Sequence, residues 1–154
     1  VSLRLRLARS DEADTVRALA RVSYARHVPN IGREPAPMTE DYTARVAEGT
    51  VQVLVDGPEE TGGILGYLIL FDEPDALMLD NVAVAEHAQG RGLGRYLVEA
   101  AEAEARARGY DLVRLYTNAK MTGNIALYTH LGFEETARVT EKMFERVYME
   151  KRLG

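Results

Sequence analysis

With 154 residues the chain has the length of one domain, expected to span 1–154 with a core that needs no staples. The absence of cysteine removes disulfides, thiolate metal sites and a cysteine nucleophile, and fits a reducing cytoplasm. Nineteen Lys+Arg against 24 Asp+Glu leave a net charge of −5, which argues against a broad nucleic-acid or anionic-membrane footprint. Leu3 to Ala8 alternate with arginine and predict a half-buried strand; this start does not read as a signal peptide. Ser10, followed by Asp11, Glu12 and Asp14, suits the N-cap of a helix over 11–26. Pro29, Gly32, Pro35 and Pro37 make 27–38 a loop, and Thr39 suits the cap of a short helix ending at Gly49.

Three strands follow, over 50–55, 64–71 and 76–85, separated by Asp56-Gly57-Pro58 and Asp72-Glu73-Pro74-Asp75 turns. Residues 92–108 read as the longest helix, with Leu93, Tyr96, Leu97, Ala100 and Ala101 as its apolar stripe. Glu102/Arg106 and Glu104/Arg108 are i,i+4 pairs on it. A strand over 111–118, a helix over 122–131 stopped by Gly132, and strands over 133–141 and 144–153 complete the chain. The strand–helix–strand run 76–118 predicts two parallel neighbours joined by a right-handed crossover. No apolar run approaches the ~18 residues of a membrane span. None of Ser2, Ser10 and Ser23 lies in G-x-S-x-G, so a serine-hydrolase elbow is excluded.

The informative stretch is Gln89-Gly90-Arg91-Gly92-Leu93-Gly94, between a strand and a helix, where free N–H groups and the helix dipole favour an anion. A dinucleotide G-x-G-x-x-G would need glycine where Arg95 stands, and Gly94-Arg95-Tyr96 does not supply the G-K-S/T of a P-loop. Read alone, the stretch also admits a glycine-rich turn with no ligand. Gln89-x-x-Gly92-x-Gly94 after Val82-Ala83-Val84 resembles the R/Q-x-x-G-x-G/A motif of the GNAT superfamily of acyl-CoA-dependent N-acyltransferases. Asn124-Ile125-Ala126-Leu127-Tyr128 followed by Gly132-Phe133 is similar to a second segment of that family, in the expected order. The resemblance implies an α/β (α+β by some schemes) fold: a mixed, mostly antiparallel sheet with a central, splayed parallel strand pair and flanking helices.

By the same resemblance, main-chain N–H groups from Gly90 through Arg91, Gly92, Leu93 and Gly94 to Arg95 would hold the pyrophosphate of acetyl-CoA, helped by the Gln89 amide; no metal is implied. Main-chain donors at a helix start need no net positive protein. Val82 and Val84 would offer backbone to the pantetheine arm, as an added strand does, beside a bulge near Asp80–Val82. Tyr128 matches the tyrosine that faces the cofactor sulfur; without the motif it is an aromatic core residue on a short helix. Asn124 would anchor the cofactor or the helix start, with Asn118 a weaker candidate. Asp80 is the carboxylate nearest the splay and would deprotonate or attract the amine; otherwise it is a strand-edge acid. His87 reads as a loop residue, and His27 and His130 show no metal-ligand spacing. Acceptor specificity is expected in 24–47 and near the last two strands, with Tyr24, His27, Glu34 and Tyr42 lining that side.

The leading reading is an N-acetyltransferase moving an acetyl group from acetyl-CoA to a primary amine of a small molecule or peptide, by direct attack in a ternary complex. The alternative is an acyl-CoA-binding sensor that has lost turnover. A phosphate-binding interaction domain must treat both motifs as accidents. A homodimer through the C-terminal strands is an analogy from such folds.

Overall fold

The computed structural model describes residues 2–154. Strands β1 (Leu3–Leu7), β2 (Val51–Asp56), β3 (Gly66–Asp72), β4 (Leu77–Val84), β5 (Leu112–Asn118), β6 (Glu134–Glu141) and β7 (Phe144–Arg152) form one sheet in the order β1-β2-β3-β4-β5-β7-β6. Only β4 and β5 run parallel; the other neighbours are antiparallel. The helices are α1 (Ala13–Ala25), α2 (Val28–Ile31), α3 (Tyr42–Ala47), α4 (Leu93–Ala107) and α5 (Thr122–His130). The mixed sheet with its central parallel pair is the architecture the sequence implied. Among the described residues no helix is long and apolar enough to cross a membrane.

The apolar runs of β2 and β3 are nearly continuous because both faces of the sheet are covered. Leu54, Leu68 and Leu70 face one core, shared with Leu97, Val98 and Ala101 of α4 and Tyr128 of α5. Val53, Tyr67 and Ile69 face the other, shared with Val16 and Ala20 of α1 and Tyr42 of α3. Period-two alternation along each strand thus feeds two separate cores.

Capping differs from expectation at two helices. Ser10 does not cap α1: residues Ser10–Glu12 form a 3-10 turn, and the Glu12 carboxylate accepts from the Arg9 N–H at 2.7 Å. Asp41, not Thr39, caps α3, accepting from the Ala44 N–H at 3.1 Å, while Thr39 bonds back to Ala36 O. The loop over 27–38 is more regular than expected, holding α2 and a 3-10 turn at Ala36–Met38. On α4 the Glu104–Arg108 pair forms at 2.9 Å, but Glu102 is buried and turns to Lys151 of β7 at 3.0 Å instead of Arg106.

One irregularity shapes the molecule. The β3–β4 register shifts between Ile69 and Leu70: Ile69 pairs with Asn81 and Leu70 with Leu79, so Asp80 is the extra residue of a bulge. Before it, Leu77 and Leu79 face the α4 side; after it, Ala83 faces the α1 side and Val82 and Val84 pack toward α4. The inserted residue reverses the parity of the strand. Parallel pairing of β4 with β5 runs only from Leu77↔Val113 to Leu79↔Leu115 and stops at the bulge, beyond which the strands part.

Candidate active site

The parting strands open a cleft lined by Leu79 to Val82 of β4, Tyr116 to Asn118 of β5, and Tyr128 of α5. Ala85 N–H donates to Leu65 O, and Tyr67 pairs with Ala83. Alternation then turns the N–H and C=O groups of Val82 and Val84 away from β3, toward the cleft. Two side chains already meet these carbonyls: the Tyr24 hydroxyl donates to Val82 O at 2.9 Å, and the Gln89 amide donates to Val84 O at 2.9 Å. Gln89 therefore braces the end of β4, and its remaining amide N–H and oxygen are what it offers elsewhere.

Below the cleft the chain turns into α4. Gly90 and Gly92 have φ of 79° and 73°, a left-handed backbone that disfavours any side chain. Arg91 between them is exposed. Leu93 sends its side chain into the core, leaving its N–H at the helix start. A Cβ on Gly94 would meet nothing within 4 Å, so this backbone is open to close approach. Arg95 is exposed and loosely paired with Glu99 at 3.4 Å. His87, just before the turn, sits with Nε2 3.1 Å from Gly62 O.

On the α5 side, Tyr128 is buried with its ring edge-on to Phe133, centroids 5.9 Å apart. Burial pushes its phenol up to about 12. Its hydroxyl has no hydrogen-bond partner among the described residues, yet it is not sealed off, and it lines the cleft. Asn124, one turn earlier on α5, lines the same cleft, and Asn118 lies at its β5 edge. Met121, not Asn124, occupies the cap position of α5.

Asp80 and Asn81 project from the bulge to the opposite face. Burial, then the nearby Glu40 charge, pushes the Asp80 carboxyl above its ordinary range; the Tyr116 hydroxyl, 3.4 Å from Asp80 Oδ1, opposes this. Asn81 is buried in a network: it accepts from Tyr67 at 2.8 Å and donates to Tyr42 at 2.9 Å, and Tyr42 in turn donates to Pro37 O. The loop carrying Pro35–Pro37 is thereby tied to the residue after the bulge.

The acceptor side departs from expectation. Tyr24 does line the cleft, and burial raises its phenol well above its ordinary value. Tyr42 is fully buried in the α1-side core and is not part of the cleft lining. Glu34 points outward to Arg21 at 2.8 Å. His27 packs against the Tyr24 ring at 6.3 Å, and burial lowers its pKa. Tyr116, Phe144 and Arg146 line the cleft and were not singled out from sequence. The alternation of Arg146, Tyr148 and Glu150 along the last strand was the available signal; it says which residues share a face, not what that face meets.

The Acetyltransferase (GNAT) family model matches residues 16–133, most of the chain. The chain belongs to the GNAT acetyltransferase family. Its sequence similarity to two of the curated relatives spans about half of the chain. It is 38% identical over 81 residues to mycothiol acetyltransferase of Jonesia denitrificans, covering 51% of this chain and 26% of that protein. It is 40% identical over 65 residues to N-alpha-acetyltransferase 80 of Mus musculus, covering 42% of this chain and 19% of that protein. The chain thus spans about a quarter or less of the length of these curated relatives. Among solved structures, the GNAT fold is shared with the PaiA N-acetyltransferase of Thermoplasma acidophilum, solved with coenzyme A (TM-score 0.76, 18% identity, 99% of each chain). It is shared likewise with the ribosomal-protein-S18-alanine N-acetyltransferase of Escherichia coli (TM-score 0.74, 21% identity, 99% of this chain and 94% of that one).

Proposed function

We propose that the chain is an N-acetyltransferase that moves an acetyl group from acetyl-CoA to a primary amine by direct attack in a ternary complex. The observation that carries this reading is the cleft at the bulge, which passes between β4 and β5 and is reached by Tyr128 from one face of the sheet and Asp80 from the other. Family membership supports the acyl donor, and the residues fit it. Val82 and Val84 turn their main-chain groups away from β3, their carbonyls met only by the Tyr24 and Gln89 side chains, the Gly90–Arg95 turn after β4 is open to an anion, and Asn124 and Tyr128 of the second motif line the cleft. The acyl donor supplies an activated thioester carbonyl.

The amine must arrive or become neutral before it attacks. Asp80, made more basic by burial, takes its proton directly or through one water. The new C–N bond forms as the C–S bond breaks, negative charge collects on sulfur, and the proton shed by the new amide nitrogen ends on that sulfur as free CoA leaves. The free Tyr128 hydroxyl donates to that charge, where a preformed donor in a water-poor cleft is most effective. The Tyr24 hydroxyl holds Val82 O, and the Asn81 network holds the bulge, so the two faces stay in register. Release of free CoA from acetyl-CoA, followed across amines, amino acids and peptides, tests the reading. Turnover with at least one class supports it; a thermal shift with acetyl-CoA but no turnover on any acceptor replaces it with a sensor.

A further inference from the structure

The acceptor face of the cleft holds a buried cation with little to bind. Arg146 lies on β7 opposite Asn118, where β4 and β5 have already parted. Its side chain is 9% exposed, and its guanidinium sits over the Tyr116 ring, 4.4 Å from the centroid. Glu141 is its ion-pair partner among the described residues, at a long 4.0 Å, and that Glu141 oxygen already accepts from the Tyr148 hydroxyl. The other part-buried arginines are saturated by comparison. Arg6, 15% exposed, holds Glu12 at 2.8 Å and Glu60 at 2.7 Å. Arg114, 20% exposed, holds Glu73, Asp75 and Glu150 at 2.6–2.8 Å. A guanidinium more buried than either, with a weaker partner and its nitrogens not sealed from the cleft, is open to a further anionic partner.

Its surroundings say what that is. Arg146 lines the same cleft as Asp80, and one aromatic ring carries both: Arg146 on the face of Tyr116 and Asp80 at its hydroxyl. The groove runs outward past Ala36 and Phe144 to solvent. Arg45, also on that groove, is taken by Glu40 and Glu48 at 2.5 Å each. We infer that the acceptor carries a carboxylate within a few bonds of its amine, held by the Arg146 fork while the amine faces Asp80. The planar guanidinium matches a carboxylate with two parallel hydrogen bonds. The amine end of this inference rests on the N-acetyltransferase reading; the Arg146 end does not. The carboxylate is the α-carboxylate of a free amino acid or an acidic side chain near the start of a peptide.

The test uses the whole chain and three acceptors: leucine, leucinamide, and the amide of an aspartyl-leucine dipeptide. A charge-assisted pair predicts that kcat/KM for leucine or the dipeptide exceeds that for leucinamide by about tenfold to hundredfold. The lower amine pKa of leucinamide works against this preference, so its appearance is informative. Preference for leucine identifies the amino acid; preference for the dipeptide identifies the acidic side chain. In Arg146→Gln the preference collapses, and in Arg146→Lys part of it returns. Leucinamide turned over as well as both others, or a preference that survives Arg146→Gln, overturns the inference. Should Arg146→Gln fail to fold, the leucine-to-leucinamide ratio of Arg146→Lys decides on the same terms. If no acceptor is acetylated, calorimetry with N-acetylleucine in the presence of CoA separates the two ideas. Binding weakened by Arg146→Lys keeps the carboxylate site and removes the enzyme; absent or unchanged binding removes the site.

Discussion

Removing one oxygen from Tyr128 separates its two readings, a core aromatic and a donor to the departing sulfur. The ring packs on Phe133 with centroids 5.9 Å apart, and Tyr128→Phe keeps that contact. The hydroxyl has no partner among the described residues, so its loss orphans nothing, and stability should stay within about 0.5 kcal/mol or rise slightly. Catalysis should behave differently. Burial pushes the phenol up to about 12, against about 8.5 for an ordinary thiol. A phenol held that high keeps its proton near neutral pH, so the proposed role of Tyr128 is to donate a hydrogen bond to the departing sulfur. Losing one such donor typically costs about 100- to 1000-fold in kcat. The assay is steady-state CoA release at saturating acceptor, with the KM for acetyl-CoA and a thermal melt of the same preparation. A kcat within a fewfold of wild type at unchanged Tm refutes the donor role, and a large fall in Tm assigns Tyr128 to the core.

Other substitutions test the frame around the site. Gly92→Ala forces a side chain into φ of 73° and should cost about 1–2 kcal/mol in a denaturant melt. Gly94→Ala, with nothing within 4 Å and no positive φ, should leave Tm unchanged or raised; a loss there would show that its backbone is strained. Gly66→Ala would place a Cβ 2.7 Å from Ala83 O and 3.2 Å from Leu97 Cδ1, prying β3 from β4 at about 1–3 kcal/mol; an unchanged melt would mean that the strands separate freely. Glu12 is held at about 2 instead of 4.5, chiefly by its hydrogen bonds from Arg6. A lowered carboxyl adds stability above its unfolded value and loses it as pH falls, so roughly 2 kcal/mol should vanish between pH 4.5 and 2. Glu12→Gln should flatten the Tm profile in that window, and an unchanged slope would assign the acid transition to other carboxylates.

Much of this protein was legible locally. Residues 76–118 declared a strand, a glycine turn, a long helix and a strand, and β4, α4 and β5 stand there to within a residue or two, with parallel pairing. The glycines of the turn were informative because left-handed φ is a steric property of single residues. The motif singled out Tyr128 and Asn124, the expected splay singled out Asp80, and the structure brings all three to one cleft. Less legible were residues whose duty depends on a neighbour. Tyr42 looked like a pocket tyrosine and is fully buried, because α3 lays it against Tyr67 and Asn81. Glu102 looked like a helix-surface partner for Arg106 and instead reaches across to β7.

The sequence by itself determined the order of elements, the helix start at Gly92, and that these 154 residues hold no cysteine. These follow from short-range rules: side-chain period, backbone sterics and residue inventory. Only the tertiary structure decided which side chains share the cleft. The extra residue at Asp80 reverses the facing of everything after it on β4, and no residue type announces that insertion. An arginine is likewise unremarkable in a sequence. Arg146 stands out only once its carboxylates are counted in space, because the cost of a buried charge depends on every group packed around it.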